Sequence, residues 1–303
     1  MDLRCATWAR DEGVDPIGTA GSYDGFLCVE WRRPWPRDLS EVEALAPLVA
    51  ETARAGLRLQ GLLPVDGGPG ARVALYRRNA GEGAFSRYRR SDAECGADEV
   101  VDVALGLLDT VAEAGPPVDV TAGTDVLVCT HGRRDRCCGA WGTALLSELD
   151  ESGALPPASR LWATTHTGGH RFAPNAIVLP EGTVWGFLDA ATLRGIVLRE
   201  GPVEAVLPHY RGCAGLGSPA QQALERAVLA EVGWDLFDWR RAGTDLAGGH
   251  ARLDVTAPDG STRSWDAEVV TTRLLPVPDC GQPLEEARKS EPELSVTNFR
   301  RIG

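Results

Sequence analysis

Several signals that would assign a chain to a common class of protein are missing from this sequence. No apolar stretch approaches the roughly 20 residues that a membrane-spanning helix requires. The first residues contain neither a basic region nor an apolar one after it, so no secretory signal is evident. We therefore expect a cytoplasmic protein without a membrane partner. There is also no G-x-G-x-x-G and no G-x-x-x-x-G-K-[ST], which predicts that no nucleotide or flavin is bound.

Positive charge is in the minority. The chain has 31 Lys and Arg residues against 43 Asp and Glu residues, and its net charge is −12. Nucleic-acid binding favours clustered cations, so this balance predicts no nucleic-acid partner. An acidic surface can steer a protein toward a basic partner, although a solvated acidic surface explains the same charge more simply.

Cysteine occurs eight times, but never as C-x-x-C. That pair gives thioredoxins a reactive thiolate at the start of a helix, and its absence argues against a thiol-redox enzyme. The chain is also long enough to fold without disulfides. Five of the cysteines are scattered, and we predict that most of them are buried free thiols: Cys5, Cys28, Cys95, Cys213 and Cys280.

Two short motifs contain most of the chemical information. Residues 129–139 are C-T-H-G-R-R-D-R-C-C-G, and residues 166–170 are H-T-G-G-H, in a chain with only five histidines. Each motif follows an apolar, β-prone run, so its thiols or imidazoles should emerge where a strand ends. Two sulfurs and two nitrogens that converge there could hold zinc or an iron–sulfur centre.

The spacing of the cysteines bears on which group is bound. Eight residues separate Cys129 from Cys138, whereas a structural zinc knuckle usually has two to four residues between its cysteines. A Rieske domain places a histidine two residues after each of two cysteines. Cys129-Thr-His131 imitates half of that pattern, but neither Cys137 nor Cys138 continues it. A Cys2His2 zinc-stabilised interaction module and a thiol-redox enzyme on a thioredoxin scaffold remain as alternatives.

These two motifs, in this order, resemble the sucrase/ferredoxin-like family. The second motif continues as H-T-G-G-H-R-F-A-P-N over residues 166–175. Near the start of the chain, residues 16–20 (P-I-G-T-A), 26–31 (F-L-C-V-E-W) and 34–36 (P-W-P) are similar to the family's first segment. The resemblance covers about the first 200 residues, and it implies a cluster domain that is a thioredoxin-like ferredoxin.

The resemblance also implies a 2Fe–2S cluster held by two cysteines and two histidines outside the Rieske fold. The family's C-x8-C falls on Cys129 and Cys138, and its H-x3-H falls on His166 and His170. Within the cysteine doublet, Cys138 fits the pattern because it directly precedes Gly139. We predict an electron carrier that exchanges electrons with redox partner proteins, rather than an enzyme, and we assign no catalytic residue.

Histidine ligation would affect the chemistry of such a cluster. Two neutral imidazoles in place of two thiolates remove negative charge, and this raises the reduction potential. The second nitrogen of each imidazole can bind a proton, so electron transfer can be linked to pH.

Hydrophobic periodicity predicts an α/β (α+β) fold with two tandem thioredoxin-like domains and a small C-terminal α/β extension. We expect residues 1–117 to form the first domain, without a cluster, and residues 118–215 to form the cluster-carrying ferredoxin domain that the resemblance implies. Residues 216–303 add a helix and a β-hairpin about residues 258–260. The first domain has the order β-α-β-β-α, the second repeats it, and residues 117–123 are the predicted linker.

Overall fold

Two β-sheets, of nine and four strands, organise the part of the chain that the structure describes. The structure is a computed structural model that describes residues 3–64, 70–78, 81, 83–114 and 123–302. Its mixture of helices and sheets confirms the predicted α/β (α+β) class. Within the described residues, no helix is both long enough and apolar enough to cross a bilayer.

The first half of the large sheet is a β-α-β-β-β-α unit that follows a short helix. Its elements are α1 (Cys5–Asp11), β1 (Gly25–Glu30), α2 (Ala46–Arg54), β2 (Leu57–Leu62), β3 (Gly70–Arg77), β4 (Arg89–Gly96) and α3 (Val100–Ala114). Strand β1 pairs parallel with β2 and antiparallel with β3, which pairs antiparallel with β4. Strand β4 could not be predicted, because its sequence R-R-S-D-A-E-C-G is too polar to show an apolar alternation.

The second half repeats this unit. Its elements are β5 (Asp125–Cys129), α4 (Thr143–Ser152), β6 (Arg160–Thr164), β7 (Ala176–Leu179), β8 (Thr183–Trp185), α5 (Ala190–Leu198) and a further strand, β9 (Tyr210–Cys213). Strand β5 pairs parallel with β6 and antiparallel with β7, and β7 pairs with β8. Both halves therefore have the same strand order, as the predicted internal repeat requires. The boundary after residue 117 and nearly all of the predicted linker lie outside the described residues, so the division into domains stays a prediction.

The two halves meet edge to edge through β2 and β6. Leu62 and Thr164 form an antiparallel pair there, and the amide of Leu63 donates to the Ala163 carbonyl at 2.9 Å. The large sheet is therefore continuous across the two repeats.

A buried carboxylate adds a second link between the halves. Asp125, at the start of β5, accepts hydrogen bonds from Arg160 and from the Trp162 indole, both at 2.7 Å, and from the Tyr76 hydroxyl. Arg90 of β4 lies 3.0 Å from the same carboxylate. Burial raises the pKa of Asp125, and the two guanidinium groups compensate for its charge.

The C-terminal region is larger than the predicted helix and hairpin. It contains α6 (Pro219–Val232) and an antiparallel sheet of β10 (Arg240–Asp245), β11 (His250–Thr256), β12 (Thr262–Pro276) and β13 (Ser290–Arg301). The predicted turn about residues 258–260 connects β11 to β12. Strand β13, at the outer end of the order β10-β11-β12-β13, was not predicted.

Helix α6 packs between the two sheets. Its Glu225 is fully buried and accepts hydrogen bonds from Arg241 of β10 at 2.5 Å and from the Tyr210 hydroxyl of β9 at 2.7 Å. Glu225 therefore connects helix α6 to the small sheet through a buried ion pair with Arg241, and to the large sheet through the hydrogen bond from Tyr210.

Candidate metal centre

Both predicted motifs begin at the same edge of the large sheet. Strand β5 ends at Cys129, the parallel strand β6 ends at Thr164, and these two residues are paired in register. The carboxyl ends of parallel strands meet at one edge, where the loops that follow can combine into a site. The loop after β5 leads to the cysteine doublet, and the loop after β6 contains the two histidines of the second motif.

The loop after β5 is closed by hydrogen bonds. The amides of Arg134 and Asp135 donate to the His131 carbonyl at 3.2 and 3.1 Å. The Asp135 carboxylate accepts from the Cys137 amide at 2.8 Å, as the side chain of an N-cap does. A π-helical turn at Cys138–Gly142 then leads into α4. Turns of this kind occur frequently at functional sites.

The loop after β6 requires its two glycines. Gly168 and Gly169 have φ angles of +83° and +63°, in the left-handed region that favours glycine. A Cβ on Gly169 would lie 2.2 Å from Nη2 of the buried Arg211. That guanidinium donates to the Gly168 carbonyl at 3.0 Å and to the Thr19 carbonyl at 2.7 Å, and burial lowers the pKa of Arg211 to about 10. The loop is therefore folded around an arginine, which restricts where its histidines can lie.

Cys129, Cys138 and His166 form a first donor group, in which one ligand atom from each residue lies within 4.8 Å of the others. Both cysteines are fully buried. Nδ1 of His166 is also buried and has no hydrogen-bond partner among the described residues, although buried polar atoms normally have one. The structure thus brings three of the four predicted ligands together.

Mutual contact and burial shift the pKa values of the three residues in the first donor group in different directions. A hydrogen bond from the Cys138 thiol lowers the pKa of Cys129 well below its usual value, and the nearby His166 lowers it further. The same contact raises the pKa of Cys138. Burial lowers the pKa of His166 and so favours the neutral ring. A thiolate and a neutral imidazole are the forms that bind metals.

His170 lies beside the first donor group but faces other residues. Its ring centroid is 6.1 Å from that of His166. Its Nδ1 is 3.3 Å from Oδ2 of Asp135 and 3.4 Å from Sγ of Cys5, and its Nε2 is 3.6 Å from Oδ1 of Asp279. The fourth predicted ligand therefore has a carboxylate near each ring nitrogen.

A second donor group consists of Cys5, Asp135, Cys137 and Cys280. Sγ of Cys280 is 3.2 Å from that of Cys137 and 3.4 Å from that of Cys5. Oδ1 of Asp135 lies 3.5 Å from the sulfurs of both Cys5 and Cys280. Hydrogen bonds from Cys280 and Cys5 lower the pKa of Cys137 to about 3.

The second donor group is not apparent from the sequence. Cys5 and Cys280 are free thiols, as expected of scattered cysteines, but in the structure both lie against Cys137 or each other. Helix α1 supplies Cys5 and the loop between β12 and β13 supplies Cys280, so no local spacing connects them. In the sequence, the doublet of Cys137 and Cys138 is the one local indication of a second donor group. Successive side chains in a helical turn point in different directions, so two adjacent cysteines can belong to two sites.

Residues of the N-terminal half cover the site. Nδ1 of His131 accepts a hydrogen bond from the His166 amide at 3.2 Å, and its Nε2 donates to the Pro36 carbonyl at 2.7 Å. The Trp35 ring meets the His131 ring edge-on, with 5.7 Å between centroids. His131 is thus a hydrogen-bonded loop residue that connects the P-W-P segment to the histidine loop.

Arginines surround a cleft beside the second donor group. Arg171, directly after His170, does not line this cleft: it is buried and pairs with Glu291 at 3.0 Å. The cleft has a volume of about 480 Å³, and the arginines in its lining are Arg37, Arg133, Arg134, Arg136 and Arg288.

Comparisons with known proteins support the family resemblance that the two motifs indicate. No solved structure matches the chain. A curated protein named "Altered inheritance of mitochondria protein 32", from Meyerozyma guilliermondii, is 32% identical over 90 residues. That match covers 25% of this chain and 32% of the relative, so the chain spans about a third of the relative's length. Residues 16–212 match the description sucrase/ferredoxin-like, and this range includes both motifs. The chain therefore belongs to the sucrase/ferredoxin-like family.

Proposed function

We propose that the protein is an electron carrier whose 2Fe–2S cluster is held by Cys129, Cys138, His166 and His170. The observation that carries this proposal is the buried Nδ1 of His166, which has no hydrogen-bond partner among the described residues, in a histidine that is grouped with two buried thiols. A buried polar atom without a partner costs about 1–3 kcal/mol. A metal bound there would remove that cost.

The donor set suits such a cluster. Cysteine thiolates are the usual ligands of iron–sulfur centres, and imidazoles in place of two of them raise the reduction potential. When bound, the cluster would supply reversible one-electron chemistry. The chain's own residues hold the ligands and exclude water from the sulfur side, because Cys129 and Cys138 are fully buried while His166 and His170 are only partly so. Electrons would therefore enter and leave on the histidine side.

The surroundings of His170 support its role as the fourth ligand. A metal-bound imidazole usually donates its other N–H to a carboxylate or carbonyl, which orients the ring. Asp135 lies 3.3 Å from Nδ1 of His170 and Asp279 lies 3.6 Å from Nε2. Either nitrogen could bind iron while the other kept a carboxylate partner. Linkage of electron transfer to a proton stays a prediction.

The arginine-lined cleft is the part of the surface that we assign to a redox partner. Opposite charge across an interface speeds encounter and orients the partners. The cleft lies directly beside Asp135, Asp279 and Cys280, so a partner with an acidic face would dock close to His170. The absence of nucleic-acid and membrane partners stays a prediction. So does a cytoplasmic location, and the relative's name refers to inheritance of mitochondria.

Metal and sulfide analysis of the full-length protein, purified without oxygen, tests the proposal. We expect a red-brown protein with two irons and two sulfides per chain, as a 2Fe–2S cluster requires. Cys138→Ser should lose most of its iron because a thiolate ligand is removed. Cys137→Ser is the matched control one residue away, and it should retain its iron.

Three results would contradict parts of this proposal. An iron-free protein whose zinc is lost in Cys129→Ser would indicate the zinc-stabilised module. A metal-free protein with a Cys129–Cys138 disulfide would indicate a thiol-redox enzyme. Loss of iron in Cys137→Ser but not in Cys138→Ser would mean that the other cysteine of the doublet is the ligand.

A further inference from the structure

We infer that Cys5, Asp135, Cys137 and Cys280 form a second metal site, which binds a single Zn²⁺ ion. This inference goes beyond the proposed electron carrier and does not depend on it, because the four residues are separate from the first donor group. It rests on the geometry of the four ligand atoms, on their chemistry and on the burial of the carboxylate among them.

The ligand atoms are spaced for one small cation. Zn²⁺ with Zn–S bonds of about 2.3 Å in a tetrahedral site has its ligand atoms about 3.8 Å apart. Sγ of Cys280 is 3.2 and 3.4 Å from the sulfurs of Cys137 and Cys5, and all four ligand atoms lie within 4.8 Å of one another. Movements of about half an ångström would produce the tetrahedral spacing. A cluster of two irons and two sulfides would need a much larger opening.

The chemistry of the donors favours zinc over harder cations. Calcium and magnesium prefer oxygen ligands, whereas three sulfurs with one carboxylate suit a borderline-soft ion. Four protein ligands also leave no position for water, which is typical of structural zinc sites rather than catalytic ones.

The Asp135 carboxylate is oriented toward the thiols and removed from water. Its side chain is only 1% exposed, and its oxygens accept from the amides of Cys137 at 2.8 Å and Cys280 at 3.4 Å. Burial of a charge is costly without compensation. The thiols carry no positive charge, and a bound cation would compensate for the carboxylate while Oδ2 kept its contact with His170.

The site would join three parts of the chain that are far apart in sequence. Cys5 lies on α1, Asp135 and Cys137 lie in the loop after β5, and Cys280 lies between β12 and β13. Zinc bound there would clamp α1 and the C-terminal region onto the loop that supplies Cys138. We therefore assign it a structural role beside the candidate metal centre.

Zinc and iron contents of full-length variants test the inference. The protein should contain one zinc per chain, and Cys5→Ser and Cys280→Ser should reduce it to near zero without a change in iron. Cys95→Ser is the matched control, because Cys95 is a partly buried thiol on β4 that contacts only the Ala71 carbonyl among the hydrogen-bond partners described. It should retain the zinc.

Zinc affinity gives a second measurement that does not depend on how much metal survives purification. In full-length Cys129→Ser/Cys138→Ser protein, the second of the two donor groups found among the described residues remains complete while the first is lost. Zn²⁺ titration against a colorimetric chelator should show one tight site. Adding Cys280→Ser should weaken it by at least about 100-fold, since even the loss of an outer-shell partner costs 10- to 100-fold. Cys280→His, which supplies another zinc ligand, should restore most of the affinity.

Several outcomes would overturn the inference. One is a protein that binds no zinc in either measurement. Another is loss of zinc in Cys129→Ser rather than in Cys5→Ser and Cys280→Ser. A third is a Zn²⁺ affinity that does not change when Cys280→Ser is added. A disulfide among Cys5, Cys137 and Cys280, detected as a mass lower by two hydrogens, would identify the group as a thiol pair instead. Circular dichroism of each variant separates loss of a ligand from loss of the fold.

Discussion

Cys137 and Cys138 are neighbours in the chain, yet their thiols belong to different donor groups. Successive residues of a helical turn are rotated by about 100° relative to each other, which follows from 3.6 residues per turn. One turn can therefore supply a ligand to each of two sites. The two serine substitutions in this doublet are expected to remove different metals for this reason.

At the scale of single residues, the two adjacent glycines of the histidine loop give a matched pair of substitutions. Gly168→Ala and Gly169→Ala both place a side chain at positive φ, which costs about 1–2 kcal/mol. Only the second also places a Cβ 2.2 Å from Arg211, whereas nothing lies within 4 Å of a Cβ at residue 168. We expect Gly169→Ala to lower the free energy of unfolding more than Gly168→Ala does.

Urea denaturation followed by circular dichroism measures this difference. Gly168→Ala is the control for the backbone penalty alone. If both variants lost the same free energy of unfolding, Arg211 would be able to move away from the new Cβ without a loss of stability. The histidine loop would then not be held by that arginine.

At the scale of elements, helix α5 shows how an N-cap contributes to stability. Asp189 precedes the helix and accepts a hydrogen bond from the Thr192 amide at 2.7 Å, and this bond lowers the pKa of Asp189. Asp189→Ala should reduce the free energy of unfolding by about 1 kcal/mol at pH 7. A lowered folded-state pKa stabilises only while the carboxyl is ionised. The difference from the wild type should therefore shrink below the usual value of 3.8.

Asp189→Asn is the control for this prediction. Asparagine caps a helix about as well as aspartate but does not titrate, so its stability relative to Asp189→Ala should not vary with pH. Urea denaturation at pH 7 and near pH 3 makes the comparison. If Asp189→Ala were equally destabilised at both values, the ionised carboxylate would not be the source of the effect.

Some elements could be predicted to the residue and others could not. The apolar patterns predict strands at residues 125–129 and 176–179 and a helix at residues 219–232, and these ranges agree with the bounds of β5, β7 and α6. Strands β5 and β7 are buried along their whole length and therefore appear as short apolar runs, and α6 begins with the Ser218-Pro219 signal. Helix α1 has only seven residues, too few to show a periodicity, and β13 is largely polar. These two elements are determined by packing against distant parts of the chain.

The same limit applies to the candidate metal centre. The convergence of the two motifs could be predicted because each follows an apolar run that forms a strand, and β5 and β6 do end side by side. The choice of ligands within the motifs came from the family resemblance. The second donor group could not be predicted, because Cys5 and Cys280 are separated by 275 positions in the sequence. Nothing in the local pattern around either cysteine indicates a ligand.

At the scale of the whole molecule, the buried pair of Glu225 and Arg241 tests how firmly the two sheets are connected. Glu225→Leu leaves Arg241 buried without its carboxylate and removes an acceptor from Tyr210. Loss of one partner of a buried ion pair typically costs 3–5 kcal/mol. We expect a reduction of about that size in the free energy of unfolding.

The double variant Glu225→Leu/Arg241→Leu distinguishes an uncompensated charge from lost packing. Replacing both partners of a buried pair by apolar residues is often neutral, so the double variant should be more stable than Glu225→Leu alone. Chemical denaturation of Glu225→Leu, Arg241→Leu and the double variant gives the interaction free energy between the two side chains. A double variant as unstable as the sum of the single ones would mean that the pair acts through packing only.

The outer position of β13 has a consequence for how the protein avoids self-association. An unpaired strand edge offers amides and carbonyls to which a second chain can add, and such edges are a common start for aggregation. Apolar side chains are exposed nearby, with Leu274 at 67% and Phe299 at 36%. Strand β13 counters this with Pro292, which has no amide hydrogen, and with charged residues along its length. Two shifts of register against β12 also distort the edge. The polar composition that makes this strand hard to predict from the sequence is therefore also the property that we expect to protect its edge from pairing with a second copy of the protein.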